Sequence, residues 1–255
     1  GFIDTHYHAT DVFASKMALR DGVTTGMDLE AGSFNVKEWY AEKAKTGWQV
    51  NYGTNASLLF NRMAVHDPDA ELSTPVDYSV IGIYAAKALT DGVQGWADTK
   101  STVEEMNKVM ALMDEDLKQG AIGVAAPIAY MAKGISSYEL FEGQRVGANY
   151  GRMTSVHTRY HLLSETPTEA PIAFDEMFTN AMLLGAPFLI CHNKLKYLIF
   201  FTLTPTSSKT SRSSACSKLS PGSTNPASVL YIPSGNLGDL PNKILSFDEI
   251  SVIIA

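Results

Sequence analysis

From Gly1 to about residue 192, short runs rich in Val, Ile, Thr and Met alternate with longer segments whose apolar residues recur every three or four positions. Repeated βα units, and with them a parallel sheet, are the expectation. Residues 2–8 and 22–30 read as the first two strands, each introduced by a glycine, and Asn35 stands where it would cap a helix over 36–45. Trp39, Tyr40 and Ala44 form the apolar stripe of that helix, and Gly47 ends it. Residues 48–53 give a third strand. The stretch 56–98, rich in Pro, Asp, Tyr and Gly, reads as a loop region with one or two short helices. Ser101, Thr102, Val103 and Glu104 make a capping-box pattern, and Val103, Met106, Val109, Met110, Met113 and Leu117 are the buried face of the helix it opens. A fourth strand over 121–126, a helix over 137–149, a strand over 152–157, a helix over 172–184 and a sixth strand over 187–192 complete the series. Ile172, Phe174, Met177, Phe178, Ala181 and Leu184 mark the inner side of the last helix.

The rhythm stops after Asn193, and residues 202–228 carry a dense mixture of Ser, Thr, Pro and Lys with neither period, the composition of a loop or disordered stretch. The chain therefore divides into a barrel portion over 1–193 and a divergent or poorly ordered segment over 194–255. Six strands in about 190 residues match the unit length of an eight-stranded parallel barrel, which takes ~250 residues. An open doubly wound sheet is the alternative, but no glycine-rich phosphate loop follows the first strand. The expected α/β fold is a (β/α)8 TIM-barrel-like one, incomplete after its sixth strand. Exposed edges on such a sheet would favour association or poor solubility.

Composition narrows the partners. With 20 Lys and Arg against 27 Asp and Glu the net charge of the 255 residues is -7, so no electrostatic footprint for DNA or RNA exists and no nucleic-acid partner is expected. Cys191 and Cys216 are the only cysteines, too few for a disulfide framework and compatible with a reducing cytoplasm. Apolar stretches such as 197–201 fall far short of the ~20 residues that span a bilayer, so no membrane span is expected. The first residue is Gly1, and the true start is expected upstream.

Four of the six histidines, His6, His8, His157 and His192, fall at the C-terminal ends of expected strands. Side chains alternate along a strand, so His6 and His8 point the same way and can hold one metal together, while Tyr7 faces the opposite side. A parallel barrel delivers all its strand ends to one rim, where Glu30 joins them and can bridge two metals with its two oxygens. Imidazoles with a carboxylate suit zinc at ~2.0–2.2 Å, with a position left for water. Taken alone, each of these residues is as well read as a hydrogen-bonded structural group or a surface acid; their joint placement is what points to one or two Zn2+ ions. His66 reads as a surface residue, His161 as a loop or supporting group, and Cys191 as a core thiol directed away from His192.

Residues 1–8, Gly-Phe-Ile-Asp-Thr-His-Tyr-His, resemble the first-strand signature of the amidohydrolase superfamily. Gly22-Val23-Thr24-Thr25 resembles the opening of the second strand in its D-aminoacylase branch, the N-acyl-D-amino-acid and N-acyl-D-glutamate deacylases. The strands ending at His157 and His192 sit where that family places its next two metal-binding histidines. The resemblance covers roughly residues 1–193 and implies a fragment of a zinc-dependent hydrolase that cleaves the amide bond of small N-acyl-D-amino acids. Three departures stand out. Many D-aminoacylases carry a cysteine near the end of the second strand, where this chain has Glu30 followed by Ala31, which suggests a carboxylate-bridged subgroup. The N-terminal part of the family's small β-domain is absent. The family's catalytic aspartate ends the eighth strand, and Asp239 and Asp248 lie in a tail without that context, although Gly222-Ser223-Thr224-Asn225 looks like a family segment.

The resemblance implies that Tyr130, beyond the fourth strand, and Arg159 or Lys194, just past two ligands, hold the substrate's carboxylate. The bland alternative is that they are ordinary surface residues. Metal-bound water would attack the amide, and an acid must then protonate the leaving amine. Without the eighth-strand aspartate, turnover is expected to be poor. Two other readings stay open: hydrolysis of cyclic amides or deamination of a ring, and a catalytically inert metal-binding barrel fragment.

Overall fold

The computed structural model describes residues 1–9, 11–72, 75–89, 92–160, 169–191 and 252–254. Strands buried on both faces cannot alternate apolar with polar residues, and β4 (Val124–Pro127), β5 (Thr154–His157) and β6 (Phe188–Cys191) are buried at every position. They continue a series begun by β1 (Phe2–Asp4), β2 (Val23–Ser33) and β3 (Asn51–Ser57). All six lie side by side in sequence order, each parallel to the next, as a repeated βα winding requires and a doubly wound sheet does not. The fold is an incomplete TIM-like barrel.

Helices α1 (Val12–Arg20) and α2 (Val36–Thr46) fill the first two crossovers. Four more, α3 (Leu58–His66), α4 (Ile81–Ala88), α5 (Gly95–Asp98) and α6 (Val103–Lys118), lie between β3 and β4, followed by α7 (Ser137–Asn149) and α8 (Ala170–Leu184) in the last two crossovers. The main core lies between strands and helices, where Val124, Val156, Phe188 and Ile190 meet Leu58, Phe60 and Met63 of α3, Met113 of α6 and Leu140 of α7. Each such side chain contributes about 1.5–3 kcal/mol by leaving water. On the other face Leu29, Leu189 and Cys191 form a small cluster with Met27, Ile122 and Met153 packed against it. Leu29 belongs to β2 and Leu189 to β6, so the sheet curls until distant strands touch across its concave side. Asn55 of β3 ties the same interior together, its amide donating to Leu29 O at 2.8 Å, Val124 O at 3.1 Å and Ser155 Oγ at 3.2 Å.

Beyond β6 the series changes direction. β7 (Val252–Ile254) pairs antiparallel with β6, Phe188 opposite Ile254 and Ile190 opposite Val252, where a repeating barrel would add a parallel strand. The expected boundary near residue 193 lies outside the described residues. Among the described residues no helix is long and apolar enough to cross a membrane.

Local expectations were met unevenly. α7 matches the expected 137–149 residue for residue. The first strand ends at Asp4 instead of His8, because the Asp4 carboxylate accepts the His6 N–H at 3.0 Å and turns the chain. Asn35 does not cap α2: its backbone is left-handed (φ 59°), and the start of the helix is satisfied from α6, with Val36 N–H donating to Asp116 Oδ1 at 3.1 Å. On that helix Lys43, not Ala44, completes the buried side with Trp39. The capping box opens at Thr102 with Glu105, one position later than expected, and Val103 in the first turn is 71% exposed. In α8 Ile172 is exposed, since two positions before Phe174 lies 200° around the helix. The stretch 56–98, expected as a loop region with one or two short helices, holds three among its described residues, α3, α4 and α5. Leu58 through Met63 of α3 are all buried, Asn61 and Arg62 included.

Candidate metal centre

The strand ends bring their polar residues to one rim. Past Asp4 the chain stays attached to β2 through Tyr7 N–H to Met27 O at 3.0 Å and Leu29 N–H to Thr5 O at 3.3 Å. This carries His6 and His8 alongside the end of β2, their rings edge to face with centroids 4.7 Å apart. Opposite them β2 bulges: Asp28 pairs with Thr54 and Ser33 with Ala56, so three extra residues of β2 are accommodated. Gly32 closes the bulge at φ +70°, and a Cβ there would lie 2.6 Å from Asn55 O, so only glycine fits. Glu30 sits on this bulge, 1% exposed.

The donor atoms of His6, His8 and Glu30 all lie within 4.8 Å of one another. Glu30 reaches two ways, with Oε2 3.4 Å from His8 Nε2 and Oε1 accepting a hydrogen bond from His157 Nδ1 at 2.7 Å. His8 Nδ1 faces Asp28 Oδ2 at 2.9 Å, an arrangement in which Nδ1 donates to the carboxylate and the neutral ring leaves the Nε2 lone pair directed toward Glu30. Two ligand atoms on a tetrahedral ion with bonds of about 2.0–2.2 Å stand roughly 3.3–3.6 Å apart, so the Nε2 to Oε2 separation of 3.4 Å fits a shared cation. Burial lowers the His8 pKa, but the hydrogen bond and charge of Asp28, with the charges of Glu30 and Asp4, outweigh it and the net shift is upward. His157 goes the other way: burial, then the neighbouring His8, lowers it to about 4, which keeps it a neutral imidazole of the kind that binds metal.

Aromatic rings wall the centre. Tyr78 stacks on His8 with ring centroids 4.3 Å apart, and it is held there from α2 through Asp77, whose Oδ2 accepts Trp39 Nε1 at 2.9 Å and lies 3.7 Å from Lys43 Nζ. The ammonium of Lys43 rests 3.8 Å from the Trp48 ring centre. Tyr130 meets His157 edge to face at 5.0 Å. Burial, with the charges of Glu30 and Tyr78 adding to it, pushes the Tyr130 phenol up to about 12, so it remains a hydrogen-bond donor.

Of the expected ligands, the structure thus brings His6, His8, Glu30 and His157 together, while His192, along with His161 and Lys194, lies outside the described residues. Arg159 is engaged within the fold: its fork holds Glu176 of α8 through Nε at 3.1 Å and Nη2 at 3.0 Å, and Nη1 donates to Ala132 O and Ile135 O. His66 is not simply a surface residue either, since its Nε2 lies 2.8 Å from Ser101 Oγ. Cys191 is a buried thiol whose pKa burial and the charges of Glu30 and Asp28 raise. Asp28 and Tyr78 escaped sequence reasoning. For Asp28 the signal was its place two positions before Glu30 on one strand; Tyr78 had none.

Curled parallel strands with histidines and an acid at or just past their C-terminal ends define the rim of an incomplete parallel barrel. Solved structures give that barrel its relatives. One is the N-acyl-D-glutamate deacylase of Bordetella bronchiseptica with zinc and a phosphonate mimic of the tetrahedral intermediate (TM-score 0.54, 19% identity, 74% of this chain and 39% of that one). A second is a D-aminoacylase that defined a novel subset of amidohydrolases (TM-score 0.54, 20% identity, 76% and 40%). A third is a D-aminoacylase with a binuclear metal centre (TM-score 0.51, 18% identity, 74% and 39%). The chain has the fold of part of this amidohydrolase barrel and spans about two fifths of the length of these structures. No sequence-family pattern and no curated protein matches it.

Proposed function

We propose that the chain is the metal-binding portion of an amidohydrolase that cleaves the amide bond of N-acyl-D-amino acids, using one or two Zn2+ ions. The observation that carries this reading is the approach of His6, His8 and Glu30 to within 4.8 Å, with His157 on the second oxygen of Glu30. His6, His8 and Glu30 would hold one ion; Glu30 and His157, with His192, would hold a second. A bound zinc supplies a water acidified towards ~7 and polarises a carbonyl. Around it the protein's own groups orient and exclude. Asp28 keeps the proton of His8 on Nδ1. Tyr78 covers the outer face of His8 and limits water there. Tyr130, protonated at neutral pH, offers its hydroxyl at the mouth of the site to a substrate oxygen. Substrate preference for the D configuration is carried over from the solved relatives.

The antiparallel β7, lying where the barrel would continue, favours a second reading in which metal is held without turnover. Elemental analysis of the chain, alongside hydrolysis of N-acetyl-D-amino acids, their L forms, hydantoins and dihydropyrimidines, separates the readings. Metal with D-selective amine release supports the deacylase, and metal without hydrolysis the inert barrel. A chain that takes up no zinc overturns both.

A further inference from the structure

A single carboxylate spans both arms of the centre. Asp28 is 8% exposed and uses each oxygen differently. Oδ2 meets His8 Nδ1 at 2.9 Å, while Oδ1 accepts Ala31 N–H at 2.9 Å and Gly32 N–H at 3.3 Å. The first contact sets which nitrogen of His8 bears the proton. The second ties down the bulge that presents Glu30. We infer that Asp28 is a positioning residue that registers two metal ligands against each other, His8 on the segment after β1 and Glu30 on the bulge of β2, and this rests on the metal-site reading above.

The chemistry makes the assignment testable by an isosteric change. In Asp28→Asn the amide oxygen can still accept the two backbone N–H groups, so the bulge keeps its shape. The amide nitrogen then faces His8 Nδ1 with a proton, which forces Nδ1 to accept and moves the ring proton to Nε2. The lone pair that faced Glu30 is lost. Outer partners of metal-binding histidines are typically worth ~10–100-fold in metal affinity, and a loss in that range is expected for Asp28→Asn, with an altered Co2+ visible spectrum.

Nitrogen NMR of the His8 imidazole in the metal-free chain, at a pH well above the imidazole range, is the decisive companion measurement. The Nδ1–H tautomer is expected in the parent and the Nε2–H tautomer in Asp28→Asn. An Nε2–H tautomer in the parent overturns the inference, as does an Asp28→Asn chain with unchanged tautomer and unchanged Co2+ affinity. If Asp28→Asn does not fold, the parent tautomer alone decides. If the parent takes up no metal, the functional reading fails while the tautomer still judges Asp28.

Discussion

Two buried polar clusters in this molecule are built on opposite principles. In α3, the guanidinium of Arg62 is fully buried and each of its nitrogens donates: Nε to Trp96 O at 2.9 Å, Nη2 to Thr99 O at 2.8 Å, and Nη1 to Ser101 Oγ at 2.7 Å and to Glu139. Cation and anion neutralise each other. At the rim, Asp28 and Glu30 face the imidazoles of His6, His8 and His157, with no Lys or Arg among those five. The first cluster carries its own counter-ion. The second gathers acids and imidazoles with no such counter-ion among its members, and the metal-site reading proposed above rests on that difference.

Breaking the first cluster should cost most. Arg62→Met leaves Glu139 buried without its counter-ion, and a loss of roughly 3–5 kcal/mol in urea unfolding is expected. Adding Glu139→Leu should restore much of it, because no charge is then stranded. A loss below about 1 kcal/mol for Arg62→Met would erase the contrast drawn here.

Asp116 offers an intermediate case, a buried carboxyl that binds only neutral donors. Burial raises it to about 6 against hydrogen bonds from Asn61 and the Val36 and Asn35 backbone. Its folded pKa lies above the unfolded one, so ionisation is penalised in the fold, fully above about 6 and not at all below about 4. Acidification through that window should therefore add up to roughly 3 kcal/mol from this group. Unfolding midpoints measured across the window should show the slope in the parent and lack it in Asp116→Asn.

At the bulge, Gly32→Ala must adopt φ +70° with its Cβ 2.6 Å from Asn55 O. A destabilisation of about 2 kcal/mol is expected by thermal melting, together with weaker zinc uptake. The smallest stability effect belongs to Glu30→Gln. Gln keeps an acceptor for His157 and removes a charge near Asp28, so metal-free stability should move by less than about 1 kcal/mol. Zinc affinity should nevertheless fall more than about a hundredfold, since losing a ligand exceeds losing an outer partner. Equal damage to both properties would mean that Glu30 is structural, like Glu139.

The sequence disclosed the repeating βα order and the spaced histidines because both are periodic and local. His6 and His8 are two positions apart at a strand end, and α7 begins at a capping serine, Ser136, and runs as an ordinary amphipathic helix. What stayed hidden depends on distant partners. Asn35 loses its capping role to Asp116, eighty residues away. Arg159 has a basic side chain in a plausible place, yet Glu176 and two carbonyls engage it. In α3 the polar Asn61 and Arg62 are buried, and their partners Asp116 and Glu139 stand far along the chain.

The buried thiol of Cys191 has a practical consequence. Its sulfur lies on the concave side of the sheet beside Leu29 and Leu189, and burial together with the acids of the rim keeps the reactive thiolate scarce. Alkylation there must wait for the strands to part, so in a Cys216→Ser background the labelling rate reports how often this end of the sheet opens. The protein thereby carries an internal probe for whether a bound ion holds β2 and β6 together.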